Sequence, residues 1–124
     1  MIYLDTHAIV WLFAGELDRL STNARRLIAE NDLMISAIVR LELQYLFEIG
    51  RVTVDANAIL ADLAVRLGLQ TCDKNFDSIV GRALSISWTR DPFDRIIVAN
   101  AALGGNTLLT ADRKILAHYE NAAW

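Results

Sequence analysis

Asp5, Glu42, Asp94 and Asp112 are the residues of this chain whose types and placement could do chemistry together. Asp5 directly follows the apolar run MIYL, and Asp112 comes two residues after TLLT. Ligands of an open parallel sheet bind outside the carboxyl ends of its strands, so position alone puts both acids on a functional rim. Each would serve equally well as the N-cap of the helix that follows it. Glu42 lies four residues after Ile38 and four before Leu46, within a stripe of Ile38, Leu41, Tyr45, Leu46 and Ile49 that predicts the inner face of a helix. A carboxylate there has to be paired, protonated or bound to a metal, because an unpaired buried charge is costly. A buried ion pair with an arginine is the plainer alternative. Asp91 and Asp94 are three apart and share a face at a helix start. Asp91, directly before Pro92, has the marks of an N-cap more than of a ligand. Asp94 falls in the first turn, where the helix dipole favours an acid, and Ile97, Val98 and Ala101 continue its face inward.

Clustered carboxylates repel one another, so a site that gathers these residues needs a cation to keep them ionised. Ligands that are all oxygen suit a hard ion, Mg²⁺ or Mn²⁺, rather than zinc. The two histidines and single cysteine form no competing ligand set: His7 belongs to a first helical turn and His118 to the surface.

The elements that must carry these acids alternate. Strands are predicted at 1–4 (MIYL), 33–36 (LMIS), 69–72 and 107–110 (TLLT), with a terminal edge strand at 121–124. Helices are predicted from 8–13, over 21–31 with Ser21 or Thr22 as cap, over 37–49 ending at Gly50, and over 55–67 with Ile59, Leu60, Leu63 and Leu67 inward. Further helices are expected over 76–84, over 91–103 ending at Gly104-Gly105, and over 113–118. Short apolar strands alternating with helices imply a three-layer α/β/α fold around a parallel sheet of four or five strands. With no repeat or linker visible, residues 1–124 read as one domain.

Bulk properties narrow the class. Hydrophobic residues at 54% and a single proline exclude a disordered chain. No apolar run approaches the roughly 20 residues of a membrane helix, and no signal-peptide pattern opens the chain. Cys72, the only cysteine, allows no internal disulfide, suits a reducing cytoplasm and reads as a filler of apolar space. A net charge of −3 runs against the basic surface usual in nucleic-acid binders. That objection weakens where several acids are gathered in one site and offset by a cation.

Five stretches, MIYLDTHAIVW, MISAIVRLEL, ISWTRDPFDRIIVANA, NTLLTADRKI and the terminal Trp124, together span nearly the whole chain. In combination they resemble the PIN-domain nucleases, and among them the VapC toxins of toxin–antitoxin pairs. The resemblance implies that Asp5, Glu42, Asp94 and Asp112 are the family's four acidic positions, with Thr6 and Thr110 as hydroxyl supports. Ser36 has a similar rim position, and Asp91 matches an often acidic one. A cytoplasmic, metal-dependent endoribonuclease that acts on RNA, is inhibited by a small antitoxin and is commonly a homodimer is what the resemblance implies. The residues suit that chemistry, since bound Mg²⁺ can activate water and offset charge developing on a phosphodiester. Arg95, Arg113 and Lys114 lie near the acids in sequence, either to meet phosphate or as ordinary surface charges. The competing readings are a protein-binding module with structural acids and a DNA-directed nuclease with the same site. Aspartyl-phosphate chemistry on Asp5 is disfavoured, because His7 stands where a second Asp is expected.

The sequence also carries more apolar surface than one core accommodates. Leu43 and Phe47 stand opposite the predicted inner stripe of their helix, and Trp11, Leu12 and Phe13 are consecutive. Such excess marks interfaces. Trp11, Phe13, Leu43 and Phe47 are therefore expected to form a groove for an amphipathic partner helix, with part of it available to a homodimer.

Overall fold

The computed structural model describes all residues, 1–124. Five strands form one sheet in the order β3-β2-β1-β4-β5. They are β1 (Ile2–Leu4), β2 (Leu33–Ile35), β3 (Gln70–Thr71), β4 (Thr107–Leu109) and β5 (Ala122–Ala123), and every pairing is parallel. β1 is central: Tyr3 lies opposite Met34 on one side and Leu108 on the other. Its three residues are all buried, as befits a strand covered on both faces.

Seven helices connect and cover the strands: α1 (Thr6–Ala14), α2 (Thr22–Glu30), α3 (Ala37–Glu48), α4 (Ala56–Leu67), α5 (Phe76–Ala83), α6 (Pro92–Leu103) and α7 (Arg113–His118). Most begin on a side-chain cap readable from the sequence. Ser21 caps α2, Asp55 caps α4, Asn75 caps α5, and Asp91 caps α6 with Pro92 in its first turn. α1 stops at Gly15, whose φ of 71° is the left-handed geometry that closes a helix at little cost only for glycine. A short 3-10 turn over Leu17–Arg19, not anticipated in the sequence, bridges α1 to α2.

The crossovers run from β1 to β2 to β3 in one direction, and from β4 to β5 in the other. Right-handed connections in these two directions lead off opposite faces of the sheet, and α3 and α6 nevertheless pack against each other. The direction reverses between β1 and β4, the place where an open α/β sheet forms a crevice at its carboxyl edge. Asp5 leaves β1 and Thr110 leaves β4 at that edge, and the Asp5 N–H donates to Leu109 O at 3.0 Å.

The inner face of α3 differs from expectation. Val39 and Leu43 are fully buried, whereas Leu41, Tyr45 and Ile49 are exposed, and Ile38 and Leu46 are half-buried. Leu43 is thus core, not part of a partner groove. α3 is apolar on most of its circumference, so its periodicity does not select a face; packing against α1, α4 and α6 does. On α4, Ile59 and Leu63 are buried, but Leu67 in the final turn is 41% exposed. Cys72 is more than filler: its sulfur accepts the Tyr3 hydroxyl at 3.1 Å. Lys74 Nζ donates to Asn100 O at 2.7 Å and Asn106 Oδ1 at 3.2 Å, and lies 4.8 Å from the Tyr3 ring centre. It thereby ties the segment after β3 to the end of α6.

Candidate active site

Asp5 is almost fully buried at the end of β1 and caps α1. Its Oδ1 accepts the Thr6 N–H at 2.7 Å and its Oδ2 accepts the Thr110 hydroxyl at 2.6 Å. Burial drives its pKa up, the two hydrogen bonds oppose that rise, and the Asp112 charge adds to it. Glu42 reaches the same rim from the second turn of α3. Its Oε1 accepts the Thr6 hydroxyl at 2.5 Å, so Thr6 joins both acids, by backbone to one and by side chain to the other. The alternative of a Glu42–arginine ion pair is not realised: the chain's salt bridges are Arg19–Glu16, Arg26–Glu30 and Arg66–Asp62. Burial, followed by the charge on Asp5, holds the Glu42 pKa above the ordinary value.

Two segments with the same local design complete the rim. In Thr89-Arg90-Asp91 the Thr89 hydroxyl accepts the Asp91 N–H at 3.2 Å, and Asp91 Oδ1 caps α6 through the Phe93 and Asp94 N–H groups. In Thr110-Ala111-Asp112 the Thr110 hydroxyl accepts the Asp112 N–H at 3.0 Å, and Asp112 Oδ1 caps α7 through the Lys114 and Ile115 N–H groups. Each Thr-x-Asp unit fixes an acid at a helix start and commits one carboxylate oxygen, leaving Oδ2 outside the cap. Thr89 was not singled out in the sequence, although the repeated Thr-x-Asp before two helices is the signal that finds it.

Asp94 sits between these groups. It is half-buried and its carboxylate accepts no hydrogen bond from the chain. Burial raises its pKa most, followed by the charges of Asp91, Asp5, Asp112 and Glu42, to about 7. All four sequence-predicted acids, with Asp91, are therefore close enough to feel one another. They form an electrostatic cluster in which no acid makes a salt bridge, although His7 lies near enough to Asp5 and Glu42 to offset part of their charge.

That cluster is a fit for a hard divalent ion by donor type and by unbalanced charge. In this arrangement no three acidic, histidine or cysteine side chains converge tightly enough to enclose an ion. Ser36 lies buried on the same rim at the start of α3, but makes no side-chain capping bond. Arg113 and Lys114 are exposed in the first turn of α7, beside Asp112. Arg95 is differently engaged: its guanidinium donates to Ala83 O at 3.1 and 3.3 Å, fastening α6 to the end of α5.

Thr110 is the most connected hydroxyl of the rim, and its loss is expected to show in stability. Thr110→Val keeps the shape but leaves Asp5 Oδ2 and the Asp112 N–H without their partner, at a cost of about 1–3 kcal/mol. Chemical denaturation reads the change, and Thr110→Ser should restore most of it. A valine variant as stable as wild type would show that the hydroxyl contributes nothing.

Away from the rim, Trp11 and Phe13 line two adjoining cavities that share Val10, Glu16, Arg51 and Val52. Trp11 also packs edge-on against Trp124 at 5.6 Å, with the Arg19 guanidinium 5.6 Å from its ring centre. Phe47 is exposed but lines neither cavity. Of the four groove residues expected, two therefore adjoin, one is core and one stands apart.

Comparison with known proteins bears on what this arrangement is. The family model described as PIN domain matches residues 2–121. The chain is 30% identical over 125 residues to ribonuclease VapC22 of Mycobacterium tuberculosis, covering 94% of this chain and 91% of the relative. Its fold is similar to a toxin–antitoxin complex from Klebsiella pneumoniae, at a TM-score of 0.69, 19% identity and 100% and 97% coverage of the two chains. It is also similar to VapBC2 from Rickettsia felis bound to a DNA fragment from their promoter, at a TM-score of 0.68 and 23% identity, covering 98% of this chain and 96% of the other.

Proposed function

This chain belongs to the PIN-domain family, and from that premise we propose that it is a metal-dependent endoribonuclease, the toxin of a toxin–antitoxin pair. The observation that carries the reading is Asp94, half-buried, unpaired and raised toward neutrality by burial and by every other acid of the rim. A protein-binding module has no use for such a group, since a neutral side chain would be more stable there. The relative that is a ribonuclease and the neighbour that is a toxin–antitoxin complex support the same direction.

Asp5, Glu42, Asp94 and Asp112 would hold Mg²⁺ or Mn²⁺, directly or through water. The bound ion supplies a nucleophile at neutral pH and offsets charge on the phosphate. The chain's own residues set the geometry. Thr6 and Thr110 lock Asp5 in one rotamer, Thr6 orients Glu42, and the two caps hold Asp91 and Asp112 at fixed helix starts. One of these four carboxylates would accept the proton of an attacking water. Arg113 and Lys114 flank the rim where a phosphate backbone would pass.

Purified protein with millimolar Mn²⁺ or Mg²⁺ should cut single-stranded RNA internally and stop on chelation. Cleavage that survives EDTA would overturn the metal requirement, and equal cleavage of single-stranded DNA would overturn the RNA preference. The cavities beside Trp11 and Phe13 are our candidate seat for an amphipathic helix of a small antitoxin. We further propose a homodimer, which light scattering at high micromolar concentration would refute by showing monomer only. No helix is long and apolar enough to cross a membrane; a cytoplasmic location is proposed from the RNA substrate and the single unbridged cysteine.

A further inference from the structure

Two aromatic side chains meet beside the acids, and the proposed chemistry leaves them without a role. Tyr45 lies three residues after Glu42, one turn on along α3, and is 48% exposed. Phe93 directly precedes Asp94 on α6. Their ring centres are 6.1 Å apart with 31° between the planes, so α3 and α6 present one aromatic surface at the lip of the acid cluster. Leu41, on the next turn toward the rim, is 57% exposed. A large apolar surface open to water costs free energy unless something covers it.

Charge indicates what covers it. The chain carries −3 overall and gathers five acids at this site, so phosphate attraction alone holds a polyanion poorly. Of the cations near the rim, Arg95 is occupied by the Ala83 carbonyl, leaving Arg90, Arg113 and Lys114 exposed against five acids. Unpaired nucleobases supply the missing affinity, because they stack on aromatic faces without regard to charge. We propose that Tyr45 and Phe93 form a stacking platform for an unpaired base adjoining the scissile phosphate. This rests on the nuclease reading above, with the base-binding role added to it.

The test couples the side chain to the base it would hold. Take a single-stranded RNA that the wild type cuts, and derivatives with an abasic site at each position flanking the cut. One abasic position should lower wild-type kcat/KM by roughly tenfold, the scale of losing one stacked base. Tyr45→Ala should lose about as much on intact RNA and become indifferent to that abasic site, while Tyr45→Phe keeps wild-type behaviour. Tyr45 is exposed, so its substitution leaves the fold intact; half-buried Phe93 is left unchanged. The platform is overturned if no abasic position matters, or if Tyr45→Ala remains as sensitive to the abasic site as wild type. It is equally overturned if Tyr45→Ala dissociates a dimer in light scattering while abasic sensitivity stays intact, for then a second copy covers the face. A wild type that cuts no RNA overturns the nuclease reading itself.

Discussion

Asp94→Asn is expected to lower RNA cleavage by on the order of a thousandfold or more, while the melting temperature of the metal-free protein stays level or rises. The two effects have one cause. Asparagine fills the same volume, but an amide cannot hold a divalent cation or take a proton from water. It also carries no charge, so it relieves the repulsion that Asp91, Asp5, Asp112 and Glu42 impose on this position. Losing activity while gaining stability separates a functional acid from a structural one. Asp112 sharpens the comparison, because its Oδ1 caps α7 while Oδ2 does not. Asp112→Asn keeps a capping oxygen and should cost little stability, whereas Asp112→Ala loses the cap as well, at about 1 kcal/mol. Both should lose cleavage. Asp77→Asn, in the first turn of α5 outside the cluster, is the control and should change neither. An Asp94→Asn enzyme within a few-fold of wild type would remove Asp94 from the site.

The second large effect is a stability that depends on pH and cation together. In the folded chain Asp94 keeps its proton up to about 7, and Asp5 and Glu42 shift in the same direction. An unfolded carboxylate ionises near pH ~4. Below that value both states are protonated and the stability is fully present. As pH rises from ~4 to ~7 the unfolded chain ionises first, so stability is lost progressively across that window. Without divalent cation the protein should therefore melt lower at neutral pH than at about pH 5, by on the order of 5–10 °C once solvent screening of the half-buried group is allowed for. Millimolar Mn²⁺ or Mg²⁺ should reverse the loss, more strongly at about pH 8 than at about pH 5, because metal and protons compete for the same oxygens. Melting curves in EDTA and in each metal, against NaCl of matched ionic strength, read both trends. A metal-induced shift equal to that of NaCl, or one that does not grow with pH, would count against the site.

Much of this site can be read locally. Asp5 and Asp112 fall on the rim because each closely follows a short apolar strand, and Asp91-Pro92 signals a helix start that the structure realises. Helix limits followed the caps and glycines, so the order of elements agrees to within a residue or two. What local reading lacked is contact between distant segments. The hydrogen bond from Thr6 to Glu42 joins residues 36 apart, and it explains how Glu42 is held without an ion pair. The buried face of α3 likewise depends on contacts that its periodicity does not show. Leu41 and Leu43 are alike in hydrophobicity, yet one is 57% exposed and the other wholly buried, because α1, α4 and α6 decide which side faces in. Arg95 is adjacent to an acid in sequence, but its guanidinium is drawn to a carbonyl of α5.

The sheet's outermost strands, β3 and β5, are two residues long each. An outer strand leaves a row of backbone groups unpaired, and a long flat row is a template onto which a foreign chain can add a strand or a fibril can grow. Two residues offer too few such groups to hold a guest. Short outer strands disfavour binding by strand addition and favour association through helix surfaces, whose side chains discriminate between partners where a bare backbone does not. The same brevity protects the chain from sticking to its own copies at the concentrations that a newly made protein meets around the ribosome.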